Sequence, residues 1–287
     1  MRFPTITVDR ERDFNTHFAF PRDIYLLMAL SLMIVMVKNL MILPMASTLI
    51  KRFGMEKSLE FERKKKFSIS LWKALFYSFT SIYGYFVIRS EPEAYTMENL
   101  IGTWGIHRTP SKVLFYYYLE FTYYFVELFY LFSEHMYKDF LQMVAHHIVT
   151  MLLLFLSYHK DLLRPGVIII AIHDISDPFL EISKLINYIR YKPLATNIFI
   201  CFAGVFFVSR IGIYTPLITF PICITIWEHE FGRVLTFISV LLQGLVCMHV
   251  IWFWIILKMI KKIVRKEEFE DIRSVKPQGS SIHIKCK

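Results

Sequence analysis

The chain is poor in the features that stabilise a secreted or a soluble domain. Only four cysteines occur in 287 residues: Cys201, Cys223, Cys247 and Cys286. Three lie in or beside apolar stretches, and no paired spacing points to a disulfide framework or a zinc site. Residues 1–23 mix both charge signs and hold no apolar core of a cleavable signal. The first apolar run is too long for such a core and reads as a signal anchor. There is no Asn-x-Ser/Thr sequon and no internal repeat. The longest polar stretch between early apolar runs, 47–70, is too short to bury a core of its own.

Apolar residues are abundant instead. They make up 55% of the chain, against about 45–50% in an ordinary soluble domain. Mean hydropathy is +0.43. Aromatics reach 17%, with 27 Phe and 16 Tyr, which suits surfaces that face lipid and headgroups. A helical crossing needs about 20 apolar residues. Runs of that order fall at 24–46, 71–89, 113–133, 141–158, 165–189, 194–220 and 234–258. The expected fold is therefore all-α, a polytopic membrane bundle of about seven helices. The sixth run ends in Pro216 and Pro221, which predicts a bend or tilt there.

The formal charge of +9 sits in short runs beside these segments. That placement sets topology and holds anionic headgroups, so nucleic acid is not an expected partner. Lys51, Arg52, Lys57 and Arg63-Lys64-Lys65-Lys66 follow the first run, and Lys258, Lys261, Lys262, Arg265 and Lys266 follow the last. With seven spans both groups lie on one side, the cytosol, and the N-terminus is lumenal. The chain divides into a lumenal segment (1–23), a first helix with its basic loop (24–64), a membrane body (65–262) and a tail (263–287). The tail, with mixed charge, Pro277 and Gly279, reads as disordered.

Ionisable groups inside such runs are costly and usually face a protein interior or a wet cavity. In 113–133, Tyr116, Glu120, Tyr123, Glu127 and Tyr130 recur at steps of four and three, which places them on one helix face. That face is either an interhelical seam or the polar wall of a substrate cavity. In 165–189, His173, Asp177, Glu181, Lys184 and Tyr188 repeat the pattern, with Asp174 adjoining. Glu181 and Lys184 form a natural i,i+3 pair. In 141–158 the adjacent His146 and His147 point about 100° apart, so they cannot share one role. The other histidines are scattered, mostly near predicted membrane ends. The His-x-x-x-His and His-x-x-His-His boxes of membrane di-iron enzymes are absent, and no metal is expected. Groups of these types pass protons or attack carbonyls. The reading is an enzyme working at the level of the lipid.

From Lys138 to Tyr158 the chain reads K-D-F-x-x-M-x-x-H-H-x-x-T-x-x-L-x-x-x-S-Y. Arg164-x-Gly166 follows, then H-D-x-S-D-x-x-L-E-x-x-K-x-x-x-Y from His173 to Tyr188. This string resembles the longevity-assurance motif of the ceramide synthases, within the TLC-domain family. The likeness runs over roughly 65–220 and takes in Trp72, Phe76-Tyr77, Trp104 and Pro110. Asp161 stands where many family members have Asn.

The resemblance implies a TLC-type six-helix barrel enclosing a cavity, in the endoplasmic reticulum membrane. It implies N-acyl transfer from fatty acyl-CoA, a co-substrate, to the amine of a sphingoid long-chain base, with no bound cofactor. It also implies pairing as homo- or heterodimers. A non-catalytic TLC-fold lipid-binding or chaperone protein is the alternative.

The roles follow from that chemistry. The catalytic candidates are His146 and His147, as base or acylated nucleophile, with Asp174 orienting the imidazole and Asp177 facing the amine. His173, Ser176, Glu181, Lys184, Glu120, Tyr123 and Glu127 are expected to line the substrate site. The basic rim of Arg63–Lys66, Lys73 and Lys138 would hold the phosphates. Trp227, in the loop 221–233, would be the floor that measures the acyl chain or, alternatively, an interfacial anchor.

Overall fold

The computed structural model describes residues 21–52, 61–96, 99–100, 109–133, 140–228 and 232–265. Lys57, Trp104, Lys138 and the tail from 266 lie outside them. Every regular element among the described residues is helical. The long helices are α1 (Arg22–Arg52), α2 (Phe61–Arg89), α3 (Ser111–Ser133), α4 (Phe140–His159), α5 (Leu163–Asp174), α6 (Asp177–Tyr188), α7 (Lys192–Glu228) and α8 (Arg233–Val264).

Four of them, α1, α4, α7 and α8, are long and apolar enough to cross a membrane. Helices α2 and α3 have the length, 29 and 23 residues, but their Lys, Ser, Glu and Tyr content dilutes the apolar signal. The predicted run 165–189 is not one helix. It breaks at Ile175-Ser176 into α5 and α6, because Pro178 has no N–H to continue the ladder. Asp177 thereby becomes the first residue of α6, where the helix dipole favours a carboxylate.

Prolines act differently in α7. The helix does not stop at Pro216 and Pro221 but continues to Glu228. Its middle, Phe207–Thr219, widens to π geometry, which absorbs a proline without unwinding. The Thr215 hydroxyl donates to the Arg210 carbonyl at 3.0 Å inside this stretch. A second π turn, Val37–Ile42, precedes Pro44 in α1. Each π stretch carries a buried cation, Lys38 in one and Arg210 in the other.

The packing order is simple. Helix α2 lies against α5 and α6, α6 against α7, α7 against α8, α8 against α4, and α4 against α3. Helix α1 packs on α3 and touches α2. The largest apolar cluster joins α1 to α5 around Trp72, Phe76, Tyr116, Tyr117 and Tyr123.

Part of the longevity-assurance string builds this scaffold. The Tyr117 hydroxyl donates to the Leu163 carbonyl at 3.1 Å and lies 3.3 Å from Ser157 Oγ. It sits where a side chain at position 166 would begin, so only glycine fits. Tyr118 and Tyr158 share a 2.8 Å hydrogen bond, and Tyr158 donates to the buried Asp23 at 3.0 Å, tying α1 to α3 and α4. Asp161 has φ 56°, in the left-handed region. Asn and Asp tolerate that region best among residues with a side chain, so the exchange with the family's usual Asn keeps the turn.

Candidate active site

Two cavities meet inside the bundle. The first, about 190 Å³, is polar at one end, with Lys66, Lys73, Asp177, Glu181 and Lys184 in its lining. The second, about 70 Å³, is lined almost wholly by apolar side chains, among them Leu154, Leu162, Ile226, Ile238 and Leu242. Only Tyr124 and His146 line both, so they form the waist between them.

Helix α4 delivers the two histidines. His146 is 8% exposed, and its ring meets Trp252 edge-on at 5.1 Å and Tyr124 at 6.0 Å. Its Nδ1 makes no hydrogen bond among the described residues. His147 lines only the polar cavity. Its Nδ1 lies 2.8 Å from the Met143 carbonyl, which can only accept. That bond places the proton on Nδ1 and leaves Nε2 as a lone pair. The adjacent histidines thus differ in surroundings, as the 100° offset requires.

The helix break supplies the opposing wall. It frees the His173 carbonyl, which accepts from Arg210 Nη2 at 2.7 Å. The same Nη2 donates to Asp177 Oδ1 at 2.8 Å, and Ser176 Oγ donates to that oxygen at 3.1 Å. Asp177 therefore enters the cavity as half of an ion pair. Lys184 Nζ lies 2.6 Å from Glu181 Oε1, the expected i,i+3 pair, and both line the polar cavity. Ser176 is fully buried and lines neither cavity.

His173 faces the apolar cavity. Its Nδ1 bonds the Ile169 carbonyl at 2.6 Å, so its Nε2 accepts from His249 Nε2 at 3.1 Å. His249 is not near a membrane end, contrary to the scattered pattern read from sequence. It lies mid-helix in α8 and is fully buried.

Ser176, expected to line the substrate site, is therefore one correction, and three more follow. Asp174 makes no hydrogen bond to either histidine of α4. Its Oδ2 accepts from Tyr116 at 3.4 Å, and its carboxyl interacts with Glu120 and Thr80. It sits on α5 beyond the cavity lining, so it does not orient the imidazole.

The polar face of α3 is an interhelical seam rather than a cavity wall. Tyr123 stacks on Phe76 at 3.6 Å, Glu120 is fully buried, and Glu127 binds Lys38, Trp72 and Lys73. Helices α1, α2 and α5 cover this face. From α3 it is Tyr124, one residue out of the stripe, and Leu131 that line the polar cavity, and Tyr124 reaches the apolar one as well.

Trp227 lies outside both cavities, 56% exposed, with its indole N–H donating to Ser239 Oγ at 3.2 Å. The helix continues to Glu228, and its phase turns Ile226 inward and Trp227 outward.

Arg210 and His249 are the residues that sequence reasoning missed. Each is the lone member of its type inside an apolar run, and that was the available signal. Among the described residues no group of three His, Cys, Asp or Glu side chains could hold a metal.

The TLC-domain profile matches residues 66–258. Human ceramide synthase 5 is 33% identical over 212 residues, 73% of this chain and 54% of that protein. Bovine (Bos taurus) ceramide synthase 4 is 34% identical over 214 residues, with the same shares. Ceramide synthase hyl-2 of Caenorhabditis elegans is 27% identical over 233 residues, 74% of this chain and 69% of that protein. The chain spans about half the length of the first two relatives. The matched region runs from the cavity's Lys66 well into α8, so the helices that hold the site are those of the profile, and the chain belongs to the TLC-domain family.

Proposed function

We propose that the chain is a ceramide synthase, moving a fatty acyl group from acyl-CoA to the amine of a sphingoid base. One observation carries this reading: His146 lies where a polar cavity meets an apolar one. An acyl thioester has its reacting carbonyl at the same kind of junction, between a charged head and a long apolar tail. The likeness to ceramide synthases of mammals and a nematode supports the substrate class. A lipid-binding scaffold has no use for a histidine at such a waist with a second one in the polar cavity beside it.

In the proposed reaction an unprotonated nitrogen of His146 attacks the thioester carbonyl, and the CoA thiolate leaves. The sphingoid amine then attacks the acyl-imidazole, forming the amide and returning the imidazole. His147 Nε2, held as a lone pair by the Met143 bond, accepts the proton that the amine releases. Asp177, beside the same cavity, attracts the ammonium form, which gives its first proton to the departing thiolate before the free amine attacks. Membranes expressing the chain, fed a labelled sphingoid base and a panel of acyl-CoAs, should yield labelled ceramides by mass spectrometry. Transfer to a lipid alcohol instead of the amine would overturn the substrate assignment.

The proposed architecture is seven crossings, with α5 and α6 counted as one. Six of them enclose the cavities and α1 stands outside. The pairwise packing of α2 to α8 supports this. The basic residues at 51–66 and 258–265 support a cytosolic position for that end and a lumenal N-terminus in the endoplasmic reticulum membrane. Protease protection of tags at residue 2 and after Lys287 in sealed microsomes reads the orientation.

The apolar cavity then holds the acyl tail, and its far end measures length. Ile226, 1% exposed, lies there with Leu162 and Ile238. Ile226→Ala should move products toward longer chains, because a methylene in such a pocket is worth about 1–3 kcal/mol. Trp227→Ala should leave the profile unchanged. The opposite pattern in a lipid profile would return the floor to Trp227.

A further inference from the structure

Helix α1 lies outside the matched domain, yet it sends a charge to the mouth of the site. Lys38 sits in the π turn Val37–Ile42, a local widening often found at functional positions. It is 3% exposed. Its Nζ lies 2.9 Å from Glu127 Oε1 and 3.4 Å from the centre of the Tyr130 ring. Trp72 Nε1 donates to the same Oε1 at 2.9 Å. The other oxygen, Oε2, faces Lys73 Nζ at 3.4 Å. Lys73 belongs to both worlds: it touches Glu127 and lines the polar cavity with Lys66 and Lys184. Both Lys73 and Glu127 are within electrostatic reach of His147.

A buried ion pair is a weak contributor to stability, since desolvation offsets the attraction. Its effect on the charge at the cavity is larger. Lys38, Glu127 and Lys73 together carry one net positive charge. Without Lys38 the remaining pair is neutral, and Lys73 is the cation that answers the Glu127 charge, with Trp72 still donating to Oε1. We propose that Lys38 is a positioning residue: by holding Glu127 it keeps the charge of Lys73 available to a polyanionic head at the cavity mouth. This rests on the reading that the polar cavity receives the phosphate-bearing end of acyl-CoA. The first helix then tunes affinity for the acyl donor without touching it.

The test compares two donors of one acyl group, acyl-CoA and acyl-pantetheine, which lacks the phosphates. The unsubstituted protein should show the lower KM for acyl-CoA. Lys38→Met should raise KM for acyl-CoA at least about fivefold, an effect of one charge in a partly screened site. It should leave KM for acyl-pantetheine and kcat for both donors within about twofold. Lys38→Met combined with Glu127→Gln restores the net charge of the trio and should return KM for acyl-CoA to the starting value. Lys38→Arg should behave as the parent. An equal rise in KM for both donors, a fall in kcat, or a double variant no better than Lys38→Met would overturn the proposal and leave Lys38 a packing residue. Unequal KM values in the parent with no change in Lys38→Met would overturn it alone. Equal KM values in the parent would overturn it through the coenzyme reading on which it rests.

Discussion

Replacing His146 with Ala should lower acyl transfer at least about 100-fold, the scale of a positioned base or nucleophile. Protein level in the membrane should hold. The His146 ring makes edge contacts with Tyr124 and Trp252, and its Nδ1 bonds nothing among the described residues. Its removal therefore orphans no buried partner. His147→Ala should cost a similar factor, although it also frees the Met143 carbonyl. The two losses should differ in kind. With acyl-CoA supplied and no sphingoid base, the parent and His147→Ala should gain the mass of one acyl group, and His146→Ala should not. Acyl mass found on His147 would exchange the two roles. Near-full turnover in a folded His146→Ala variant would remove the waist histidine from the chemistry altogether.

Gly166→Ala should be the most damaging small substitution in the scaffold. A Cβ there would lie 1.5 Å from the Tyr117 hydroxyl oxygen and 2.6 Å from its ring carbon. The tyrosine would have to leave the Leu163 carbonyl and Ser157, and with them the turn between α4 and α5 that aims both helices at the site. Overpacking costs about 1–3 kcal/mol in a core that can shift, and the lost hydrogen bond adds about 1 kcal/mol. Gly84→Ala meets the Tyr116 hydroxyl at 2.6 Å and should be milder, since the overlap is smaller and a shift of a few tenths of an ångström relieves most of it. Gly204 and Gly244 have open space around a Cβ, so alanine there should be neutral or gain up to about 1 kcal/mol from helix propensity. Thermal unfolding in detergent should rank the four variants in that order. Gly166→Ala melting with Gly204→Ala would mean that Tyr117 moves aside at no cost.

These two sites show why one motif served two purposes. His146-His147 and Arg164-x-Gly166 stand in the same string, but the first faces the cavity and the second closes the scaffold. Sequence spacing alone does not separate them, because a buried ligand group and a buried structural group look alike along a helix. The α3 stripe is the sharpest case. Its period correctly put Tyr116, Glu120, Tyr123 and Glu127 on one inward face. What that face met was α1, α2 and Asp174 of α5.

What the sequence determined by itself was the all-helical membrane character, the family, and a histidine pair whose members face different surroundings. These follow from local quantities: apolar run length, helical period, the fixed angle between neighbours, and an unbroken motif. The tertiary structure decided which polar groups share a cavity. It brought Arg210 to Asp177 across 33 positions and His249 to His173 across 76. It sent Asp174 to Tyr116 instead of a histidine, and it turned Ile226 in and Trp227 out. Such outcomes depend on where a proline breaks a helix and on which neighbour covers each face, and no local period encodes that choice.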